Sequence, residues 1–180
     1  MLVRSAEPRD LAAITAIYEQ AVRHGTASFE IEPPDEKEMM RRYETLRGGG
    51  YPFVVAERGG TMAGYAYAGP YRARPAYRWS VEDSIYIAPK ARRGGVGRLL
   101  LSELIAQAEA SGFRQMIAVI GDSANSASIE LHRTLGFRMV GTFENVGFKF
   151  DRWLDSVLMQ RPLGEGATTA PDQGSAIGTR

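Results

Sequence analysis

"YIAPKARRGGVGRLLLSELIAQAEASG", residues 86–112, joins the end of an alternating apolar segment to a cluster of glycines and arginines and then to a long amphipathic segment. The apolar side chains of that last segment recur at the spacing of one helical face, which predicts a helix packed on a sheet. They are Leu100, Leu101, Leu104, Ile105 and Ala108. The first N–H groups of a helix lack partners and carry partial positive charge, so this helix start is predicted to bind a phosphate. A tight turn with solvated arginines is the alternative.

The composition predicts one ordinary globular domain. The chain has 180 residues, of which 44% are hydrophobic and 24% are charged, and its formal net charge is +1. Such a chain has no overall field for holding nucleic acid, so an anion site must be local. The absence of cysteine and the presence of two histidines exclude disulfides, thiolate metal sites and His-rich metal sites.

Hydropathy argues against a membrane protein. No apolar segment approaches the ~20 residues that span a bilayer, and residues 1–10 lack the hydrophobic region of a secretory signal. We therefore expect a cytoplasmic protein without a membrane partner.

Strands and helices alternate along the chain. The predicted strands are MLVRSA, YPFVVAE, MAGYAYAGPY, SVEDSIYIA, RQMIAVIG, FRMVGTFENVGFKF and WLDSVLMQR. Besides the helix of the opening segment, helices are predicted from Pro8 to His24, over EKEMMRRYETLR and over NSASIELHRTLG. RARPAYRW is a polar loop before the fourth strand. From Pro162 the chain has almost nothing to bury, which predicts a domain at 1–161 and a disordered tail at 162–180.

Three phosphate-binding patterns compete for the glycine cluster. A Walker A loop requires a lysine and a hydroxyl residue after its last glycine, and neither follows Gly97. A dinucleotide fingerprint requires a small residue where Leu100 stands, although Asp122 after the next strand is placed for a ribose-binding acid. The third pattern is Arg92-x-x-Gly95-x-Gly97 after a strand that carries a carboxylate. It resembles the acetyl-CoA signature of the GCN5-related N-acetyltransferase (GNAT) superfamily.

The resemblance runs from the first strand to about Arg161. NSASIELHRTLGF is similar to the second family signature. YAYAGPYRARPAYRWSVEDSIYI and AVIGDSANSASIELHRTLGF resemble the branch that acetylates the α-amino group of phosphinothricin, methionine sulfoximine and methionine sulfone. The resemblance implies a single-domain α/β GNAT fold with a mixed, mostly antiparallel sheet of about seven strands flanked by helices. It also implies acetyl-CoA as co-substrate, a splayed sheet that admits the pantetheine arm, no metal, and a homodimer.

The resemblance assigns the cofactor contacts to two segments and one helix start. The backbone of Ile85, Tyr86 and Ile87 would meet the pantetheine arm. The pyrophosphate would be held by Arg93, Gly94, Gly95, Val96, Gly97 and Arg98. Asn125 would hydrogen-bond the cofactor, although a plain helix N-cap is the alternative for this residue.

Amine acetylation requires a base, because an ammonium has no lone pair until it loses a proton. In SVEDSIYI the alternation places Glu82 on one face and Asp83 on the other. Glu82 is the candidate base, and Asp83 is expected to make a solvent or structural contact. His132, on nearly the same helical face as Asn125, is a candidate second base, proton relay or thiolate partner, with Tyr86 competing as acid.

The polar loop is the candidate substrate site, because guanidinium groups grip phosphinate and sulfone oxygens. The resemblance implies substrate contacts for Arg72, Arg74, Tyr77, Phe29 and Glu82. A solvated side chain is expected for Arg78, and no role is expected for Tyr65, Tyr67 and Tyr71. Two other functions stay open, namely acetylation of a peptide N-terminus and an inactive acetyl-CoA sensor. The basic loop argues against the first, and Glu82 with His132 argues against the second.

Overall fold

Seven β-strands and four α-helices form the part of the chain that the computed structural model describes, residues 1–171. The strands are β1 (Leu2–Ser5), β2 (Phe53–Arg58), β3 (Thr61–Pro70), β4 (Ser80–Ile87), β5 (Gln115–Gly121), β6 (Arg138–Lys149) and β7 (Arg152–Pro162). The helices are α1 (Leu11–His24), α2 (Glu36–Gly48), α3 (Val96–Ala110) and α4 (Ser126–Thr134). The alternation of strands and helices expected from the sequence is confirmed.

The strands form one sheet in the order β1-β2-β3-β4-β5-β7-β6. β4 and β5 are parallel, whereas every other neighbouring pair is antiparallel. A parallel pair needs a long crossover connection, and α3 lies within it. The predicted α/β fold with a mixed, mostly antiparallel sheet is confirmed.

Two separate cores cover the two faces of the sheet. On one face α3 buries the stripe that its sequence predicts, with Leu100, Leu101 and Leu104 fully inaccessible to solvent. On the other face α1 and α2 pack on aromatic strand residues, among them Tyr65. Because side chains alternate along a strand, consecutive residues of β4 face different cores.

The sheet opens between its two parallel strands. The β4–β5 ladder joins residues 80–83 to residues 115–118 and ends at the pair Asp83–Ala118. Beyond this pair β4 follows β3 to Ile87, whereas β5 follows β7 to Gly121. Residues 84–87 and 119–121 therefore diverge around a V-shaped opening, called the cleft below, with its vertex at Asp83.

The end of the domain differs from the sequence prediction. β7 extends through Pro162, and Leu163, predicted to lie in a disordered tail, is fully buried in the α3 core. The Arg114 guanidinium also donates to the carbonyl oxygen of Gly166 at 3.3 Å. A single leucine in a segment rich in glycine and threonine gives no periodic signal, so the hydropathy pattern did not predict the burial of Leu163. Residues 172–180 of the predicted tail lie outside the described residues.

Membrane spans and metal clusters are both absent from residues 1–171. No helix in this part of the chain combines the length and the apolar character needed to cross a membrane. Residues 1–171 also contain no group of three or more His, Cys, Asp or Glu side chains arranged to hold a metal ion.

Candidate active site

Glu82 lies beside the vertex on the face covered by α1 and α2. It pairs with Gly69 of β3 and with Ile117 of β5, so its backbone is fixed on both sides. Its side chain is half-buried. Burial raises the pKa of Glu82, the neighbouring Asp83 carboxylate raises it further, and Arg72 lowers it. The carboxyl group is thus a stronger base than a solvated glutamate.

His132 lies beside the same vertex on the opposite face. Its side chain is 2% exposed and extends from α4 toward β4. Nδ1 lies 2.7 Å from the carbonyl oxygen of Ser128, and Nε2 lies 3.0 Å from Oδ2 of Asp83. Burial opposes the charged ring, but these two acceptors outweigh burial and raise the pKa of His132. A ring that donates from both nitrogens has no lone pair, which does not suit the role of second base.

Tyr86, the competing acid, is held among aromatic rings on the Glu82 face. Its ring stacks on Tyr65 at 5.3 Å and meets the edge of Tyr18 at 4.9 Å. Burial raises the pKa of the Tyr86 hydroxyl well above its ordinary value. Such a hydroxyl is a poor proton donor, so this geometry does not favour Tyr86 as the acid.

The candidate phosphate cradle begins where β4 ends. Arg93 and Gly95 have positive φ angles of 61° and 77°, and α3 starts at Val96 directly after them. Gly95 occupies the left-handed region that glycine adopts without strain. The first N–H groups of α3 point away from the helix body into this exposed turn. Arg58, which no sequence pattern singled out, donates to the carbonyl oxygen of Gly94 at 3.2 Å.

The remaining predicted cofactor contacts lie along the cleft. Ile85 and Ile87 turn their side chains into the α3 core, so their backbone atoms form the cleft edge. Asn125 also lines the cleft, and its side-chain oxygen accepts from the Ser128 N–H at 3.3 Å. The structure therefore shows Asn125 as a helix N-cap, which was the alternative role for this residue. The cap uses the side-chain oxygen and not the amide nitrogen.

The predicted substrate residues lie on two segments. On the polar loop, Arg72 stacks over the Tyr71 ring at 5.1 Å, and Tyr77 contacts the same ring edge-on. Arg74 precedes a short 3₁₀ turn, and its side chain is exposed. Arg72 is close enough to Glu82 to lower the pKa of that carboxyl group. The loop thus places positive charge near the candidate base.

Phe29 comes from the loop between α1 and α2. Its ring lies so close to β6 that a side-chain carbon at Gly147 would approach it to 2.4 Å. Lys149 of β6 anchors the same loop, because its Nζ donates to the carbonyl oxygens of Gly25 and Ser28 at 3.0 and 2.8 Å. Burial lowers the pKa of Lys149.

The vertex therefore brings Glu82, Asp83 and His132 together, while the cradle and the polar loop lie at opposite ends of β4. Sequence reasoning missed the contact of Asp83 with His132 and the anchoring role of Lys149. The apolar surroundings of a lone lysine at the end of a strand were the available signal for Lys149. The sequence offers no comparable signal for the Asp83 contact.

Comparisons with known proteins concern the chain as a whole. Residues 3–158 match the family model described as an acetyltransferase (GNAT) domain. The chain is 55% identical over 170 residues to a phosphinothricin N-acetyltransferase of Alcaligenes faecalis, covering 94% of this chain and 86% of that protein. It is 42% identical over 172 residues to an L-methionine sulfoximine/L-methionine sulfone acetyltransferase of Salmonella typhimurium, covering 96% and 99%. A GNAT superfamily phosphinothricin acetyltransferase from Sinorhizobium meliloti, solved with acetyl-CoA, superposes with a TM-score of 0.94 at 52% identity, covering 97% and 94%.

Proposed function

Since the chain belongs to the GNAT acetyltransferase family, we propose that it transfers the acetyl group of acetyl-CoA to the α-amino group of a small amino acid analogue. The proposed acceptors are phosphinothricin, methionine sulfoximine and methionine sulfone, the compounds in the names of two relatives. The observation that carries this proposal is the arrangement of β4. One strand supplies a half-buried carboxylate at the vertex, an open edge along the cleft and, at its end, a helix start suited to a pyrophosphate.

Acetyl-CoA fits this strand from end to end. The turn of residues 93–98 would hold the pyrophosphate through backbone N–H groups and the Arg93 and Arg98 side chains. The open edge of residues 85–87 would hydrogen-bond the pantetheine amides, as an added strand would. Asn125 would bind the arm from the opposite wall. Bound in this way, acetyl-CoA would have its thioester at the vertex.

The proposed reaction is direct attack of the amine on the thioester. The overall balance is R–NH₃⁺ + CH₃CO–S–CoA → R–NH–COCH₃ + HS–CoA + H⁺. Glu82 takes a proton from the ammonium, directly or through one water, and frees the nitrogen lone pair. The nitrogen bonds to the carbonyl carbon, the C–S bond breaks, and the electron pair leaves on sulfur. The thiolate then takes up a proton, and the other proton is released to solvent.

The substrate's charged groups match the polar loop. Arg72 and Arg74 would bind the carboxylate or the oxygenated γ-centre, and Tyr77 would line the same side. Phe29 would close the pocket from the α1–α2 loop.

Replacing Arg74 with alanine is expected to raise the KM for the amino acid far more than the KM for acetyl-CoA. Loss of one charge-assisted hydrogen bond costs about 1.5–3 kcal/mol, roughly ten- to a hundredfold. Arg78→Ala, which removes a guanidinium stacked over Trp79 in the same loop, is the matched control and should change neither KM appreciably. Steady-state kinetics with each substrate varied in turn measure the two KM values. Equal changes in both would contradict a role for Arg74 in binding the amino acid.

A second copy of this chain is the proposed partner, bound through the β6 edge of the sheet. β6 is an edge strand, and long apolar side chains are exposed on it, on the turn that follows it and on its neighbour β7. They are Met139, Val140, Phe143, Val146, Phe148, Phe150 and Trp153. An edge of this kind invites pairing, and an exposed apolar patch of this size is typical of an interface. If this edge binds the same edge of a second copy, the two copies are related by a twofold axis, so we expect a twofold homodimer.

Trp153→Glu is expected to convert a dimer into a monomer, because Trp153 is 61% exposed and packs edge-on against Phe148 at 5.3 Å. A carboxylate there would be buried without a partner in the dimer. Leu2→Glu, on the opposite edge of the sheet, is the matched control and should leave the mass unchanged. Light scattering after size exclusion measures the mass. A wild-type chain that runs as a monomer overturns the proposal.

The function itself is tested by thiol release from acetyl-CoA with a panel of free amino acids, the three proposed analogues and a short peptide. Release with the free analogues supports the proposal. Release with the peptide alone would indicate peptide acetylation, and acetyl-CoA binding without release would indicate a sensor.

A further inference from the structure

The ion pair between Asp83 and His132 has no part in the proton transfer proposed for Glu82. Both side chains are buried, at 2% exposure each, and they join β4 to α4 across 49 residues of sequence. Asp83 is also the last β4 residue in the ladder with β5. The pair therefore lies where the cleft closes, on the face opposite Glu82.

One atom of the pair lacks a partner. Oδ1 of Asp83 is buried and accepts no hydrogen bond from any described residue, whereas Oδ2 contacts the imidazole. A buried carboxylate oxygen without a donor is costly, so such an atom requires an explanation. Asp83 lines the cleft, where a bound ligand would bring N–H donors beside it.

We propose that Asp83 is a positioning residue that holds His132 as an imidazolium at the vertex, where its positive charge stabilises the negative charge of the transferring thioester. The proposal rests on the proposed function. During attack, negative charge develops first on the carbonyl oxygen and then on the leaving sulfur. The ring keeps both protons, because each nitrogen already donates to an acceptor, so the group acts by charge and not by proton transfer. Oδ1 is left to accept a hydrogen bond from the bound acetyl-CoA arm.

The surroundings of the ring support a fixed charge. Asp83 faces His132 from β4, Ser128 offers its carbonyl oxygen from α4, and Phe137 covers the ring edge-on at 4.9 Å. Among the described residues, Asp83 is the charged group placed against the ring, while Glu82 points to the other face of β4. These contacts include no cation that would repel the imidazolium.

The first test is an NMR titration of the imidazole resonances, which needs no substrate and so stands apart from the proposed function. The chain has two histidines, so the resonances of His132 can be assigned by their absence in His132→Gln. His132 should lose its proton clearly above pH 6.5, the ordinary histidine value, and Asp83→Asn should lower that midpoint. Folding stability should also fall as pH rises through the raised pKa of His132, and this fall should be smaller in Asp83→Asn.

The second test is kinetic. Asp83→Asn and His132→Gln should each lower kcat by about 10²–10³ with little change in the KM for the amino acid, the range of a lost charge-stabilising contact. The double variant should lose no more than either single variant, because the two residues act as one unit. Asp10→Asn is the matched control. Asp10 is also buried, with a whole-residue exposure of 6%, the same as that of Asp83, and pairs with Arg4 away from the cleft, so this change should lower stability without changing kcat.

Three results would overturn the proposal. The first is a His132 midpoint at or below pH 6.5 in the wild-type chain, which requires no variant to fold. The second is a kcat for His132→Gln close to that of the wild type. The third is equal loss of kcat in Asp83→Asn and Asp10→Asn at the same folded fraction, which would assign Asp83 a purely structural role.

Discussion

Replacing Glu82 with glutamine is expected to lower kcat by about 10²–10⁴, the usual contribution of a general base, with acetyl-CoA binding nearly unchanged. Glutamine keeps the shape of the side chain at the vertex but cannot take a proton from the ammonium. Since the backbone of Glu82 is paired on both sides, the substitution should not disturb the sheet. Steady-state kinetics and calorimetry with acetyl-CoA measure the two effects.

The pH profile tests the same assignment. The active form of Glu82 is the carboxylate, and burial raises the pKa of this group above its ordinary value. The wild-type kcat should therefore fall as pH decreases through that raised pKa. In Glu82→Gln this limb should disappear, and the remaining rate should increase toward alkaline pH, where free amine becomes available without a base.

Glu57→Gln is the control for Glu82→Gln, since Glu57 is also a half-buried strand glutamate but pairs with Arg4 at the far side of the sheet. It should leave kcat and its pH profile unchanged. If Glu82→Gln keeps near-full kcat at neutral pH, the carboxylate is not the base.

Replacing Gly95 with valine is expected to weaken acetyl-CoA binding by about a hundredfold, the effect of losing two charge-assisted hydrogen bonds of about 1.5 kcal/mol each. Gly95 has a φ of 77°, which a β-branched residue rarely adopts. A side-chain carbon there would meet no atom within 4 Å, so backbone conformation and not crowding makes glycine necessary. The valine would turn the first N–H groups of α3 away from the pyrophosphate. Isothermal titration calorimetry measures the affinity.

Gly60→Val separates phosphate binding from strain. Gly60 has a φ of 76° and equally open surroundings, but it lies in the turn between β2 and β3. Both variants should lose similar stability on thermal unfolding, and Gly95→Val alone should lose affinity. Equal affinities in the two variants would remove Gly95 from the phosphate site.

Local patterns predicted most of the fold. The helical stripe of α3 and the alternation of β4 follow from periods of 3.6 and 2 residues, which the chain alone displays. The same alternation predicts opposite faces of β4 for Glu82 and Asp83, because neighbouring side chains of a strand point in opposite directions. The turn at Gly95 likewise follows from the glycine cluster and the helix behind it.

Contacts between distant segments were not predictable in this way. Periodicity gives the faces of β4 but not the residue at which β5 leaves it, so the position of the vertex at Asp83 was hidden. The distance of 49 residues between Asp83 and His132 hid their ion pair. The roles predicted for His132, as second base, proton relay or thiolate partner, were therefore assigned without it. Leu163 shows the same limit, because one apolar residue among turn formers carries no period.

The anchor at Lys149 has a consequence for how the enzyme matures. Its ammonium fastens the loop of Gly25 and Ser28 from 124 and 121 residues further along the chain. A ribosome releases the N-terminal segment first, so this loop emerges long before its fastening group exists. A nascent chain that stops short of Lys149 therefore leaves Phe29 unsecured. The pocket wall proposed for Phe29 would therefore gain its support only after Lys149 has been synthesised, and activity would wait until the sheet has assembled through β6.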